Sequence, residues 1–296
     1  MNSNIVTLTT DWGSSDNYTA IFKAHIYREY QDIKIVDVTH EVKKNTIRDA
    51  AFLVKNMYHY FPKRSIHIID VNYLSPYNES MYRKILKTEQ SEDCLYFTHY
   101  LAFCYDEHYF LCENNGIVSL LCDVGAITEI VKISPCKTYE HFYSFKAISY
   151  WIKAATSLAK GEALNSIGEK YDLQFVELLR IPSAFISGDQ KNKIVFHSQY
   201  IDSYGNIITN LDKDFFDEIA EGRTTFDFYC TQTGTKKRRK ISREYNNNSD
   251  ERLILLFGHN GYLEISARYA PFAKILRTEF LNLEFTITFP SKIEPL

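Results

Sequence analysis

The spacing of apolar residues changes period several times along the first 180 positions. Residues 5–10 form a short β-branched run ending in Asp11-Trp12-Gly13, the pattern of a buried strand. Residues 18–30 switch to helical spacing, with Ile21, Ala24 and Ile26 among the apolar positions. Residues 33–38 read as a second strand. Residues 46–58 read as a helix with Ile47, Ala50, Ala51, Val54 and Met57 on one face, and 66–71 as a third strand. Strand, helix, strand, helix, strand predicts parallel pairing through right-handed crossovers. Residues 72–98 are polar and aromatic without a period. Residues 100–105 and 109–112 then predict a hairpin turned by Asp106-Glu107-His108, and Asn115-Gly116 a turn before 117–121. Residues 147–160 predict a helix stopped by Gly161. From Pro182 onward strands dominate, at 194–200, 225–229, 253–257, 262–265 and 283–289. The expected fold class is therefore α/β. A mainly parallel sheet flanked by helices occupies 1–182, and a smaller, mostly antiparallel β domain occupies 183–296.

Composition narrows the function classes. A chain of 296 residues allows two domains of about 150 residues each. It holds 22 tyrosines and 20 phenylalanines but only 11 glycines, and neither GxGxxG nor GxxxxGK[ST] occurs. A Rossmann dinucleotide turn and a Walker phosphate loop are thereby excluded. A net charge of −3 offers no footprint for nucleic acid. Six cysteines without a CxxC pair predict core thiols rather than a zinc site. The start, MNSNIVTLTTDWG, lacks a basic, apolar leader, and no apolar run approaches the ~20 residues of a membrane span. The expectation is a cytoplasmic protein that engages no membrane.

Five segments carry candidate chemistry. Asp11, in TTDWGSSDNY, stands where a parallel strand ends, the edge at which open α/β sheets bind ligands. A carboxylate there can take both hydroxyls of a ribose, while Ser15, Asp16 or Asn17 can equally cap the next helix. His40, in VDVTHE, has too few companions for a metal site and reads as a structural hydrogen-bonding group. IDSYGNIITNL offers the carboxylate of Asp202, the ring of Tyr204 and the amide of Asn206, or simply a glycine turn between strands. GHNGYLEIS offers a glycine turn whose exposed N–H groups can hold a carboxylate, or a tight turn before a strand. Lys236-Lys237-Arg238-Arg239-Lys240 reads as a solvated loop between strands.

Taken in order, these segments and ENNGIVSLL resemble the S-adenosylmethionine hydroxide adenosyltransferase family, related to the bacterial fluorinase and chlorinase. TLTTDWGSSDNY is similar to its TDFG-type opening, VDVTHEV with IRDAAFLVKNMYHYFP to its second block, and ENNGIVSLL to its DNG block. The resemblance implies an α/β N-terminal and a β-rich C-terminal domain, a homotrimer with inter-subunit sites, and S-adenosylmethionine or adenosine as ligand. It implies no metal and no cofactor beyond S-adenosylmethionine as substrate. Asp11 would hold the ribose, with Asp16 and Tyr18 of the same motif in the binding set. Asp202 would meet the methionine ammonium, Tyr204 and Asn206 the adenine side, and His259 and Asn260 the methionine carboxylate. The implied chemistry is displacement of methionine from ribose C5′ by a desolvated, aligned nucleophile.

The catalytic positions depart from that pattern. The family aspartate follows the strand-three histidine by five residues; counting from His67 reaches Asn72, in a loop, VNYLSPYNESMYRK, without glycine. Asp70 is close in sequence, and Arg83 is the nearest counterpart of the family arginine. The family histidine falls on Lys146 in SFKAISYW. The expected catalytic set is therefore Asn72, Lys146 and Asp70. Lys146 would supply charge, or act as a base if desolvated, with Asp70 as the anion that offsets it beside a sulfonium. The expected activity is hydrolysis of S-adenosylmethionine to adenosine and methionine. The alternatives are an adenosyl-ligand-binding protein without turnover, or transfer to another nucleophile.

Overall fold

The computed structural model describes residues 3–72, 99–139, 144–188, 192–245, 252–276 and 283–290. Arg83 and Cys94 lie outside the described residues, as does most of the 72–98 stretch. The chain divides into two compact units, Met1–Arg180 and Ile181–Leu296.

The first unit is built on strands β1 (Ile5–Thr10), β2 (Lys34–Thr39), β3 (Ile66–Asp70), β4 (Tyr100–Tyr105), β5 (His108–Glu113), β6 (Glu129–Ile133) and β7 (Gly168–Lys170). Their order in the sheet is β2-β1-β3-β5-β4-β6-β7. The first four in that order are parallel, and β4, β6 and β7 add antiparallel pairings. Helices are α1 (Tyr18–Glu29), α2 (Ile47–Lys55), α3 (Ile117–Leu121) and α4 (Ala147–Ala159). The strand–helix alternation read from the sequence thus produces the expected parallel core.

Alternation along each strand sorts residues between the two faces of the sheet. Val6, Leu8, Ile66, Ile68, Ala102 and Leu111 join one buried core with Phe22 and Ile26 of α1 and Trp151, Ile152 and Ala155 of α4. The intervening Thr7, Thr9 and His67 take the other face, and all three are buried. The helix expected over 46–58 ends at Lys55, because Asn56 donates its side-chain N–H back to the Phe52 carbonyl at 2.7 Å. A 3₁₀ turn, Tyr58–Tyr60, follows, and the Tyr58 ring packs edge-on against His67, His108 and Phe110.

Those two histidines form a chain. Thr7 Oγ1 lies 2.8 Å from His67 Nδ1, and His67 Nε2 lies 3.2 Å from His108 Nδ1. Burial holds both imidazoles below their ordinary range, His67 at about 3, with the neighbouring His108 adding to the effect on His67. A histidine whose folded pKa is depressed contributes stability above its unfolded pKa of about 6.5 and loses it as pH falls. Lowering pH to 5 is therefore expected to remove about 2 kcal/mol through His67 alone. Thermal unfolding at pH 7 and pH 5 checks this. His67→Gln should lose less Tm over that interval than the wild type, and an equal loss in both would refute the assignment.

The second unit carries β8 (Phe185–Ser187), β9 (Lys193–Ile201), β10 (Ile207–Asp212), β11 (Phe226–Cys230), β12 (Thr235–Arg239), β13 (Leu253–Phe257), β14 (Tyr262–Ala267) and β15 (Glu284–Thr288). They pair antiparallel in the order β12-β11-β15-β9-β10-β14-β13, with β8 added on β9. Much of the phenylalanine content is spent here. Phe196 stacks on Phe285, Phe285 on Phe228, and Phe216 of helix α5 (Lys213–Ala220) packs against Phe226, Phe257 and Phe289. Helix α6 (Phe272–Ile275) closes one side of the core with Phe272 and Ala273.

The basic run is not the loop expected from its charge. Residues 235–239 form β12, at the end of the strand order, where Lys236 and Arg238 reach Asp227 of β11 at 3.1 and 4.0 Å. Charge suits an edge strand because it discourages pairing with a further strand.

Candidate functional site

In the first unit, β1, β3 and β5 end side by side, each on an acidic residue or immediately before one. Thr10 of β1 pairs with Asp70 of β3, and Ile69 of β3 pairs with Cys112 of β5. Asp11, Asp70 and Glu113 therefore lie at one carboxyl edge of parallel strands. The backbone there is tightly drawn. The Gly13 N–H donates to the His40 carbonyl at 2.7 Å, and the Val42 N–H to the Thr10 carbonyl at 3.2 Å. Gly13 has φ +79°, a left-handed value that its missing Cβ permits.

Asp11 accepts the backbone N–H of Asn72 at 3.1 Å. Burial raises its pKa, opposed by that N–H, by its own backbone and by Lys44. Asp70 is enclosed on nearly every side and accepts the Trp12 indole N–H at 2.9 Å. Burial pushes Asp70 up to about 7, and the Asp11 charge adds to the rise against the Trp12 hydrogen bond. Glu113 goes up to about 8, from burial first and then from Asp70, against hydrogen bonds to Tyr100 and Asn115. Both acids keep some solvent-accessible surface as whole residues.

Aromatic rings wall this edge. Tyr100 stacks on Tyr150 of α4 at 3.7 Å and meets Trp151 edge-on at 5.1 Å. Trp12 meets Phe22 and Phe145 edge-on at 5.0 and 4.9 Å, and Tyr18 meets Phe145 at 5.1 Å. His40 bonds Thr10 Oγ1 at 2.8 Å, lies 3.1 Å from Asp37 and stacks on Trp12, the structural role its sequence context suggests.

The sequence-predicted residues of this unit are placed unequally. Asp11 and Asp70 share the strand edge. Asn72 is there by its backbone, which also accepts the Asn45 N–H at 3.2 Å, while the residue as a whole is exposed. Lys146 is half-buried at the start of α4, beside Phe145, and burial lowers its pKa. Tyr18 is 41% exposed behind Phe145, and Asp16 is exposed on the turn before α1.

In the second unit, the Asp202 carboxylate organises its own loop. Oδ1 accepts the backbone N–H groups of Tyr204 and Asn206 at 2.9 and 2.8 Å, and Oδ2 accepts the Asn206 side-chain amide at 2.9 Å. Asp202 and Asn206 thus fix each other, and Tyr204 is left 79% exposed. In the second loop, Asn260 Oδ1 accepts the Tyr262 N–H at 3.1 Å and His259 is exposed. Glu264 is buried on β14, and its Oε1 accepts the hydroxyls of Tyr245 at 2.5 Å and Ser266 at 3.1 Å. A separate cavity of about 440 Å³ is lined by Lys213, Phe216, Arg223, Lys240 and Arg243 among others; of the singled-out segments only the basic run reaches it, through Lys240.

Sequence reading did not single out Glu113, Tyr100, Trp12, Trp151 or Glu264. A signal existed for the two glutamates, since each is a lone acid within a run of buried strand residues, YFLCE and YLEIS. Among the described residues no group of three or more His, Cys, Asp or Glu side chains is placed to hold a metal ion. No helix among them is long and apolar enough to cross a membrane.

Residues 6–87 match the model of the S-adenosylmethionine hydroxide adenosyltransferase N-terminal domain, and residues 197–281 match that of its C-terminal domain. The chain belongs to the S-adenosylmethionine hydroxide adenosyltransferase family. It is 26% identical over 292 residues, 94% of each chain, to an (R)-S-adenosyl-L-methionine hydrolase from Methanocaldococcus jannaschii. In fold it is similar to an uncharacterized conserved protein from Thermotoga maritima, with TM-score 0.78 at 19% identity over 96% of this chain and 100% of that one. A conserved hypothetical protein from Thermus thermophilus is similar with TM-score 0.66, at 17% identity over 97% of this chain and 100% of that one. For this adenosyltransferase-family chain, the acidic strand edge is where sheet topology places ligands.

Proposed function

We propose that this protein binds S-adenosylmethionine and hydrolyses it to adenosine and methionine. What carries the reading is the family membership across both units together with the acidic edge formed by Asp11, Asp70 and Glu113. A positively charged sulfonium is attracted to a carboxylate-bearing strand edge and is a good leaving group. Asp11, turned to the strand edge, suits the ribose diol. The prearranged Asp202–Asn206 loop and the Asn260 turn suit the adenine and methionine ends. A homotrimer belongs to the same reading and would show by light scattering as about three times the chain mass of 34.6 kDa. A cytoplasmic location is compatible with the free thiols of Cys104, Cys112, Cys122, Cys136 and Cys230.

The test is incubation of purified protein with S-adenosylmethionine in ¹⁸O-water. Equimolar adenosine and methionine are expected, with the label in the adenosine 5′-hydroxyl. No adenosine above the spontaneous background would overturn the hydrolase reading. A second reading, binding without turnover, is favoured by the exposed, uncharged Asn72. It predicts saturable binding with no methionine released.

A further inference from the structure

We propose that Asp70 and Glu113 act as one proton-sharing pair that gives up its proton when the sulfonium binds and then accepts a proton from the attacking water. The inference rests on the hydrolase reading and supplies the base that reading leaves open. Elimination among the described residues leads to it. Asn72 has no acid–base capacity, Lys146 stands at the start of α4 and not at the strand ends, and Asp11 is assigned to the ribose diol.

Asp70 and Glu113 end adjacent parallel strands, one residue beyond the Ile69–Cys112 pair. By alternation both belong to the sheet face that carries α4, the face of Ile68, Leu111 and Trp151. Two carboxyls this close, away from bulk water, do not both ionise readily, so the first proton is retained. The groups facing the pair set its balance. Asp11 at the end of β1 adds negative charge and favours retention. The indole of Trp12, the hydroxyl of Tyr100 from β4 and the amide of Asn115 favour the ionised form. Lys44 acts on Asp11.

An independent feature points to a ligand here. Trp151 is fully buried on α4, and its indole N–H faces the Asp70 carboxyl, where it favours the ionised form as Trp12 does. Two buried indole donors beside one carboxyl suit a site where that carboxyl must carry charge when the ligand is bound.

The step balances. The cation's approach favours loss of the shared proton to solvent, leaving an ionised Asp70. The water oxygen forms a bond to C5′ as the C5′–S bond breaks, and its electron pair stays on the methionine sulfur. The water proton passes to Asp70 and is later released. One S-adenosylmethionine and one water give adenosine, methionine and one proton.

Single-turnover mixing with S-adenosylmethionine at pH 7, followed with a pH indicator and by quenched adenosine, separates protons released on binding from the one released by hydrolysis, while calorimetry gives the affinity. Wild type is expected to release about 0.5 to 1 proton in the binding phase, before adenosine forms, and Glu113→Gln much less. Asp70→Asn is expected to lower kcat about 10²-fold or more, while affinity stays within about fivefold. Glu113→Gln should also move the acidic limb of the kcat profile to lower pH, since removing a neighbouring acid makes Asp70 easier to ionise. A merely structural role would not move that limb. Binding without proton release in wild type, undiminished release in Glu113→Gln, or Asp70→Asn within threefold of wild-type kcat would overturn the pair alone. No binding heat at all would overturn the hydrolase reading and the pair with it.

Discussion

Asp11→Asn is expected to weaken S-adenosylmethionine binding by about 10²- to 10³-fold. The reasoning begins with the strand edge. Asp11 follows the last residue of β1, half-buried, with one carboxylate oxygen already accepting the Asn72 N–H. Such a group has lone pairs left for two hydroxyls of a ribose, and hydrogen bonds to a charged acceptor contribute about 1.5–3 kcal/mol each. Two such bonds give about 3–6 kcal/mol, or roughly two to four decades in Kd, of which asparagine keeps a part through its one remaining acceptor. Asparagine keeps the shape but replaces one acceptor by a donor and removes the charge. It also changes the partner that holds the Asn72 backbone. Calorimetric titration of both proteins at one salt concentration measures the effect. A Kd within threefold of wild type would remove Asp11 from the binding site.

Gly205→Ala should cost the second unit about 2–4 kcal/mol of stability. Gly205 has φ +79°, where a side chain costs about 1 kcal/mol before any contact is considered. Its added Cβ would then meet Pro271 Cβ at 2.4 Å and Pro271 Cα at 3.1 Å, and a proline ring has little freedom to yield. The Gly205 carbonyl also accepts the Ala273 N–H at 3.0 Å, so a shift of the loop loosens the start of α6. Gly222→Ala is the internal control. Its φ is +81°, but nothing lies within 4 Å of the new Cβ, so only the backbone cost of about 1 kcal/mol applies. At roughly 4 °C of Tm per kcal/mol, the two variants should differ by several degrees in thermal unfolding. Equal losses would show that Pro271 does not constrain the loop. Because Asp202 and Asn206 are held in the same turn, Gly205→Ala should also weaken ligand binding if that loop contacts the adenine end.

Legibility tracked the range of the interactions. Strands β1 and β3 and helix α4 were readable because their periodicity reports a neighbouring core whichever residues supply it. The basic run 236–240 reads as a loop in the sequence because local charge says nothing about an edge position beside Asp227. The site divides in the same way. Asp11 was visible because a strand followed by Asp-Trp-Gly marks a carboxyl edge within a few residues. Glu113 was not, because its meaning depends on Asp70, 43 positions earlier, and on Tyr100 across a hairpin.

The sequence by itself determined the α/β and antiparallel β classes, the absence of glycine-rich nucleotide loops and the family blocks. These are properties of composition, short-range period and ordered motifs. Only the tertiary structure decided which acids meet. Parallel pairing places β1, β3 and β5 in register, and alternation then turns Asp70 and Glu113 to the α4 face, while Asn72, two residues beyond the strand end, is turned to solvent. Proton affinity follows from that placement, because burial and a neighbouring charge are properties of three-dimensional surroundings and not of the residue type.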